Sequence, residues 1–404
     1  MVDTNSELLA IAPGKDPSPG VTASPESRLL ADAVRILQGY LWAPDGKVAC
    51  HYLTHSRAIP ESIARSYGVG YLPASADESG GSMLSDTLRA LGHSDDVMLS
   101  VGIAVRSYDR KGLCDKPRGG GYIALPLTDP SGQVIGIKYR AVTGEVSEDA
   151  RRFDATSSAL SGAMFGFDRL PLDAHTVIAV EGELDQLSLA AARECDPSLP
   201  PAVAWHGKEL SGERLALLSS RAKHVVLMLD ADEGGFDGIL RGGRKLARAG
   251  VAISVVRMPA DVDANELLRA GDAPGLARAV HNLPRVSLFE EHARVFTRFG
   301  PAHVNIACTD PYFVASELSE TAEALACIEL QADAVERGAK LVNLDPGFFA
   351  KYVASARERD LARAEATGTS PRVADYDVAQ LLESVVDVEG EEHEVLAVGD
   401  AGGL

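Results

Sequence analysis

The sequence predicts an α+β protein in which an α/β domain with a parallel sheet follows a smaller α/β subdomain and precedes a helical domain. From Thr176 onward the apolar runs TVIAV, AVAW, HVVLML and ISVVRM alternate with helical segments, which is typical of βα units around a parallel sheet. Upstream, YIALPL and QVIGIKYRAV flank the turn residues DPSG, which predicts a β-hairpin over 122–142. Beyond about Pro284 helical periodicity replaces the strand pattern.

These changes of pattern place the domain boundaries. The 404 residues, 46% of them hydrophobic and 24% charged, suffice for several domains. We predict a flexible N-terminus over 1–27, the first α/β subdomain with its hairpin over 28–172, the α/β domain over 173–284, a helical domain over 285–372 and an acidic tail over 373–404. No run of about 20 apolar residues occurs, so we expect a cytoplasmic protein without membrane contact.

The charge is unevenly distributed along the chain. The formal net charge is −19, which is unusual for a protein that binds nucleic acid. However, 375–400 contains acidic residues and no Lys or Arg, whereas basic residues outnumber acidic ones over 106–152. A groove for nucleic acid is therefore expected in the second segment. The cysteines are widely spaced without a C-x-x-C pair, so no zinc is expected.

Two acidic motifs follow predicted strands. In TVIAVEGELD, Glu181 follows the apolar run and Asp185 falls in the first turn of the next helix; in HVVLMLDADEGG, Asp230 and Asp232 follow another strand. Ligands of open α/β sheets bind at the carboxyl ends of the strands, and clustered carboxylates favour Mg²⁺ or Mn²⁺. The alternative is that these residues are solvated loop residues or helix N-caps. Two such motifs at one sheet edge favour a metal site.

EGELD and LMLDADEGG resemble the two signature motifs of the Toprim domain, which primases, topoisomerases and certain nucleases share. This resemblance implies that Glu181, Asp230 and Asp232 are catalytic and hold the metal together with Asp185. VVRMPADVDANELLRAGD is similar to a primase pattern, which implies that Asp263 also lies at the metal site. The alternative for Asp263 is an N-cap of a helix over 264–270.

Further segments resemble the catalytic core of bacterial and phage DNA primases in the same order, over roughly 48–272. They are HYLTHSRAIPESIARSYGVGYLP, IALPLTDPSGQVIGIKYRAV and RRFDATSSALSGAMFGFDRL. The resemblance implies that Lys138, Arg140 and Arg152 bind nucleotide and template. Tyr122 stands where many members have arginine, and Arg118 is a nearby cation that we assign to the same role. The alternative for Lys138 and Arg140 is the solvated face of a hairpin.

The resemblance implies template-directed synthesis of short RNA primers on single-stranded DNA, from ribonucleoside triphosphates, by Mg²⁺-dependent nucleotidyl transfer. It also implies a Toprim domain at 173–284 and a primase-type subdomain before it. The family's zinc ribbon has no counterpart in the sequence, so we expect a separate zinc-ribbon protein or a replicative helicase as partner. Two alternatives remain open: a Toprim-type metal-dependent nuclease, and a non-catalytic replication module that binds nucleic acid or a partner.

Overall fold

A computed structural model describes residues 24–75, 81–107, 112–142, 151–156, 162–205, 210–231, 233–260, 262–299, 311–325 and 328–367. The chain forms two compact units. One comprises Met1–Ile239 and Ser254–Arg285, and the other comprises Leu240–Ile253 and Val286–Leu404. The predicted boundary between 172 and 173 lies inside the first unit, and the domain boundaries stay a prediction. The predicted acidic tail over 373–404 lies outside the described residues.

The first part of the first unit is mainly helical up to β1 and strand-rich after it. Its helices are α1 (Pro25–Trp42), α2 (Lys47–His51), α3 (Glu61–Ser66), α4 (Met83–Ala90) and α5 (Asp95–Val101), with a π-helical turn at Tyr52–Ser56. Its strands are β1 (Gly70–Leu72), β2 (Ala104–Arg106), β3 (Leu113–Asp115), β4 (Tyr122–Thr128), β5 (Val134–Ala141) and β6 (Phe153–Ala155). Helix α1 begins where the Ser24 side chain accepts a hydrogen bond from the Ser27 N–H, as an N-cap does.

The predicted hairpin forms β4 and β5. Within the described residues it belongs to a four-stranded sheet of order β1-β4-β5-β6, in which β4 and β5, and β5 and β6, pair antiparallel. Arg140 lies between Ile123 on β4 and Phe153 on β6 in this register. Because directly opposed residues project to the same face of a sheet, the register places the cation and the aromatic ring together.

The segment from Thr176 to Ser287 alternates strands and helices, as predicted. It is the second part of the first unit, except that Leu240–Ile253, Val286 and Ser287 belong to the second unit. In order, its elements are β7 (Thr176–Val180), α6 (Glu183–Cys195), β8 (Ala202–Ala204), α7 (Gly212–Arg221), β9 (His224–Leu227), α8 (Glu233–Arg248), β10 (Ala252–Val256), α9 (Ala264–Asn282) and β11 (Arg285–Ser287). The described strands form a sheet of order β11-β10-β9-β7-β8. Strand β7 runs parallel to both β8 and β9, so the carboxyl ends of β7 and β9 are neighbours.

Two details differ from the sequence-based prediction. Strands continue past Pro284, because β11 follows it. Helix α9 continues to Asn282 although we predicted its end at 270, and it does so across a kink at Asp272, whose φ is +60°. The kink just before Pro274 explains why helical periodicity is interrupted there.

A shared core explains why the two parts form one unit. One cluster of buried side chains includes Leu53 from the π-helical turn, Leu125 from β4, Ile178 from β7, Leu187 from α6 and Leu268 from α9. Each of these side chains is at most 2% exposed. Burial of apolar area at this shared core is the main stabilising contribution, and it fixes the hairpin relative to the carboxyl edge of the parallel sheet.

The second unit contains a helical core. Its helices are α10 (Leu288–Phe299), α11 (Pro311–Ala324), α12 (Ile328–Val342) and α13 (Pro346–Thr367). Leu318, Val335 and Phe349 lie at the centre of its buried cluster. In the part of the chain that the structure describes, no helix combines the length and apolarity needed to cross a bilayer.

Candidate active site

The Toprim-like motifs lie at the carboxyl edge of the parallel sheet. Glu181 directly follows β7, Asp185 lies in the first turn of α6, and Asp230 follows β9. A Cβ added at Gly235 would lie 1.9 Å from the carbonyl oxygen of Asp230. Only glycine therefore allows α8 to pass so close to the Asp230 backbone. Asp232 lies outside the described residues, so its predicted role stays a prediction.

Asp185 shows which carboxylates lie close together. Its side chain is 9% exposed, and its Oδ1 accepts a hydrogen bond of 3.1 Å from the backbone N–H of Asn265. Burial, followed by the charges of Asp263 and Asp230, raises the pKa of Asp185 well above its ordinary value, whereas the Asn265 N–H and Arg140 act against this rise. Asp185, Asp230 and Asp263 therefore form one group, called the acidic cluster below.

The structure places Asp263 at a helix N-cap, and its predicted role at a metal stays a prediction. Its Oδ1 accepts a hydrogen bond of 2.7 Å from the Glu266 N–H, and Glu266 Oε2 accepts one of 3.2 Å from the Asp263 N–H. This capping box begins helix α9, so the structure shows the N-cap that the sequence left as an alternative. Because its charge acts on Asp185, Asp263 also lies at the acidic cluster.

The donor chemistry of the acidic cluster fits a hard divalent cation. Its side chains offer only carboxylate oxygens, which Mg²⁺ prefers. The charges of Asp230 and Asp263 act on the buried Asp185, and a bound dication would offset the repulsion among the three carboxylates. Within the described ranges, which omit Asp232, the structure gathers no set of three or more ligating side chains in position to hold a metal.

Lys138 links the hairpin to the Toprim-like motif. Its Nζ lies 2.5 Å from Glu183 Oε1 in the first turn of α6. The Glu183 side chain is 2% exposed and that of Lys138 is 20% exposed. A buried carboxylate requires such a partner, so part of the charge of Lys138 is neutralised within the protein.

Phe153 brings together three of the predicted nucleotide-binding cations. The Nζ of Lys138 lies 5.2 Å from the ring centroid, and the Cζ atoms of Arg140 and Arg152 each lie 5.3 Å from it. These are cation–π distances. Phe153 is 39% exposed, and Arg152 is also exposed. We call Lys138, Arg140, Arg152 and the Phe153 ring the cation cluster.

Arg118 has a different environment. It is exposed, and its Nη2 donates a hydrogen bond of 2.6 Å to the carbonyl oxygen of Arg106 on β2. Tyr122, which occupies the position of the family's arginine, is buried and donates a hydrogen bond of 3.0 Å to the carbonyl oxygen of Arg151. Tyr122 thus contacts the backbone next to Arg152, whereas the role of Arg118 stays a prediction.

Sequence reasoning missed a polar network beneath these clusters. Tyr52 Oη accepts hydrogen bonds from Arg57 Nε at 3.0 Å and from Arg140 Nε at 3.2 Å. The Nδ2 of Asn265 donates to the carbonyl oxygen of Arg57 at 2.8 Å and to Ser188 Oγ at 3.0 Å. Burial opposes the ionisation of Tyr52, but the charges of Arg140 and Arg57 give it a lowered pKa. Arg57, five residues from Tyr52 in HYLTHSRAIP, was the local signal available for this network.

The fold and the site therefore define a protein with a Toprim-like acidic edge joined to a cation-bearing antiparallel sheet. Residues 178–268 match the family model described as Toprim-like. The DNA primase of Synechococcus elongatus is 28% identical over 250 residues, which are 60% of this chain and 34% of that relative. The chain thus spans about a third of the length of that relative.

Solved structures of primase domains share the fold. A DNA primase domain from Pseudomonas aeruginosa has a TM-score of 0.64 and 19% identity, with 81% of this chain and 99% of that one covered. A DnaG primase catalytic domain bound to single-stranded DNA has a TM-score of 0.61 and 16% identity, with 80% and 97% covered. The predicted resemblance to the Toprim-domain primase catalytic core is confirmed.

Proposed function

We propose that this chain is a primase-type RNA polymerase that makes short RNA primers on single-stranded DNA by Mg²⁺-dependent nucleotidyl transfer. The observation that carries the proposal is the convergence of two opposite clusters within one primase fold. Arg140 belongs to the cation cluster around Phe153, and its charge also acts on Asp185 in the acidic cluster. Transfer of a nucleotidyl group requires both kinds of group near the reacting phosphate.

The cation cluster would bind the triphosphate and the template backbone. Arg152 is exposed, whereas Arg140 is 9% exposed and gives one of its five N–H donors to Tyr52. Guanidinium groups bind phosphate oxygens in a bidentate manner, so we assign both arginines to this role. Lys138 would contribute mainly by fixing β5 against α6 through Glu183. Arg118, at the neighbouring β2–β3 ribbon, would contact template further from the reacting phosphate.

The acidic cluster would hold the metal. When bound there by Asp185, Asp230 and Asp263, with Glu181 and Asp232, Mg²⁺ or Mn²⁺ would stabilise the charge on the triphosphate oxygens. Glu181 follows β7 at the same edge, and we assign its carboxylate the acceptance of the proton from the attacking 3′-hydroxyl. Asn265 orients Asp185 through its backbone N–H.

The proposed substrates are single-stranded DNA and ribonucleoside triphosphates. The DNA bound to the similar catalytic domain supports the first of these. A replicative helicase or a separate zinc-ribbon protein is the proposed partner for template selection, and the helical unit offers a separate body for docking. The acidic cluster and the cation cluster both lie in the first unit. A partner docked on the helical unit would therefore deliver template and leave the chemistry to these clusters.

The test is primer synthesis with labelled ribonucleotides, single-stranded DNA and Mg²⁺, comparing wild type with Glu181→Gln and Asp230→Asn. Matched controls are Glu61→Gln and Asp96→Asn, at exposed carboxylates of α3 and α5. We expect short RNA from wild type and both controls, and loss of at least about a hundredfold in both site variants. Glu181-dependent cutting of the DNA would instead support a nuclease, and neither product, even with a helicase or zinc-ribbon protein added, would support a binding module.

A further inference from the structure

The hydroxyl of Tyr52 holds two guanidinium groups together. It accepts the Nε–H of Arg57 at 3.0 Å and the Nε–H of Arg140 at 3.2 Å, and the Cζ of Arg57 lies 5.3 Å from the Tyr52 ring centroid. Two guanidinium groups that share one acceptor atom lie close enough to repel each other. A shared acceptor oxygen and an aromatic face offset that repulsion.

The surroundings keep the Tyr52 ring in place. Tyr52 is 8% exposed and packs in the cluster that joins the hairpin to the parallel sheet. It begins the π-helical turn Tyr52–Ser56, an irregularity that often occurs at functional positions in helices. The hydroxyl therefore points from a rigid core toward Arg140, and its position does not depend on an exposed loop.

Both arginines are connected to the acidic cluster, Arg140 through its guanidinium charge and Arg57 through its backbone carbonyl. Arg140 acts on Asp185 through its charge. Arg57 accepts a hydrogen bond at its carbonyl oxygen from Asn265, whose backbone N–H donates to Asp185. The Tyr52 hydroxyl thus contacts Arg140 directly. It is linked to Asp185 indirectly, through Arg57 and Asn265.

We infer that Tyr52 is a positioning residue that orients Arg140 for the nucleotide triphosphate, an inference that rests on the proposed function. The bond to Tyr52 uses the Nε–H of Arg140 and fixes the plane of the guanidinium group. Its terminal nitrogens then carry the remaining donors, in the geometry that matches two phosphate oxygens. Without the hydroxyl, the charge remains but its orientation is no longer fixed.

The first test measures binding of ATP in the presence of Mg²⁺ by Tyr52→Phe, which keeps the ring and removes the acceptor. We expect the Kd to rise about tenfold, as for loss of one hydrogen bond to a charged group. The matched control is Tyr40→Phe, because the hydroxyl of Tyr40 contacts the neutral Thr87 Oγ1 at 3.2 Å. Its Kd should stay within about twofold of wild type. Equal Kd values for Tyr52→Phe and wild type would overturn the inference.

A double-mutant cycle with Arg140→Gln separates orientation from a general loss of structure. If Tyr52 acts through Arg140, adding Tyr52→Phe to Arg140→Gln should change the Kd less than about twofold. If the fold-changes in Kd of the two single variants multiply in the double variant, the two residues act independently and the inference is overturned. Absence of ATP binding by wild type would also overturn it. If ATP binding depends on Tyr52 but wild type makes no primers, the proposed function fails alone. If wild type makes primers and Tyr52→Phe binds ATP normally, only the role of Tyr52 fails.

Discussion

Replacing Asn265 by alanine should destabilise the first unit, because this side chain is 1% exposed and joins three segments. Its Nδ2 donates to the Arg57 carbonyl oxygen at 2.8 Å and to Ser188 Oγ at 3.0 Å. Each bond contributes about 1 kcal/mol, and the part-buried Arg57 carbonyl left without this donor adds about 1 kcal/mol, the lower end of the cost of an unsatisfied group. Ser188 keeps its own bond to the Leu184 carbonyl oxygen, so we expect a total loss of about 3 kcal/mol.

Thermal unfolding followed by calorimetry measures this loss. A decrease of about 3 kcal/mol in the free energy of unfolding corresponds to a Tm lower by about 6–12 °C for a unit of this size. The control is Asn282→Ala, near the other end of α9, where the asparagine is exposed and the change should stay within about 0.5 kcal/mol. A Tm for Asn265→Ala equal to that of Asn282→Ala would refute the reasoning.

Three further predictions concern other parts of the chain. Burial, with the charge of Arg244, lowers the pKa of His292 to about 3, so below about pH 6.5 the unfolded chain binds a proton there that the folded chain does not. In calorimetry, wild type should therefore lose stability relative to His292→Gln as the pH falls from 6.5 to 4. Parallel stability profiles of the two proteins would contradict this. Gly235→Ala should abolish primer synthesis, because its Cβ would displace the Asp230 backbone; wild-type synthesis would contradict this. Phe153→Leu should weaken binding of single-stranded DNA several-fold in fluorescence titrations, with Phe153→Tyr as control, and equal affinities would count against the cation cluster.

The βα alternation and the hairpin could be predicted because their patterns are local. TVIAV and HVVLML are apolar runs; the first forms β7, and the second forms β9 and the two residues after it. The strands β2, β3 and β6 could not be predicted, since each has three residues of which one is charged. They therefore lack the apolar run that indicates the equally short β8. The extent of α9 was missed because the Asp272 kink divides its pattern.

The residues of the candidate site also divide into those that motifs predict and those that they do not. Lys138, Arg140 and Arg152 were chosen from motifs, and the structure places all three around Phe153. The pairing of Lys138 with Glu183 could not be predicted, because that contact joins positions 45 residues apart. Asn265 and the contact of Tyr52 with Arg140 were missed for the same reason. These long-range partners are set by the packing of the hairpin against the parallel sheet, and nothing in the neighbouring residues specifies them.

Template dependence of RNA synthesis tests the central claim most directly. Wild type would be given Mg²⁺, one labelled ribonucleotide and a single-stranded homopolymer, either poly(dT) or poly(dC). The proposed function predicts RNA from ATP only on poly(dT) and from GTP only on poly(dC), and loss of both products in Asp230→Asn. Incorporation that ignores the template, or that persists in Asp230→Asn, would contradict the assignment of a primase-type polymerase to this fold.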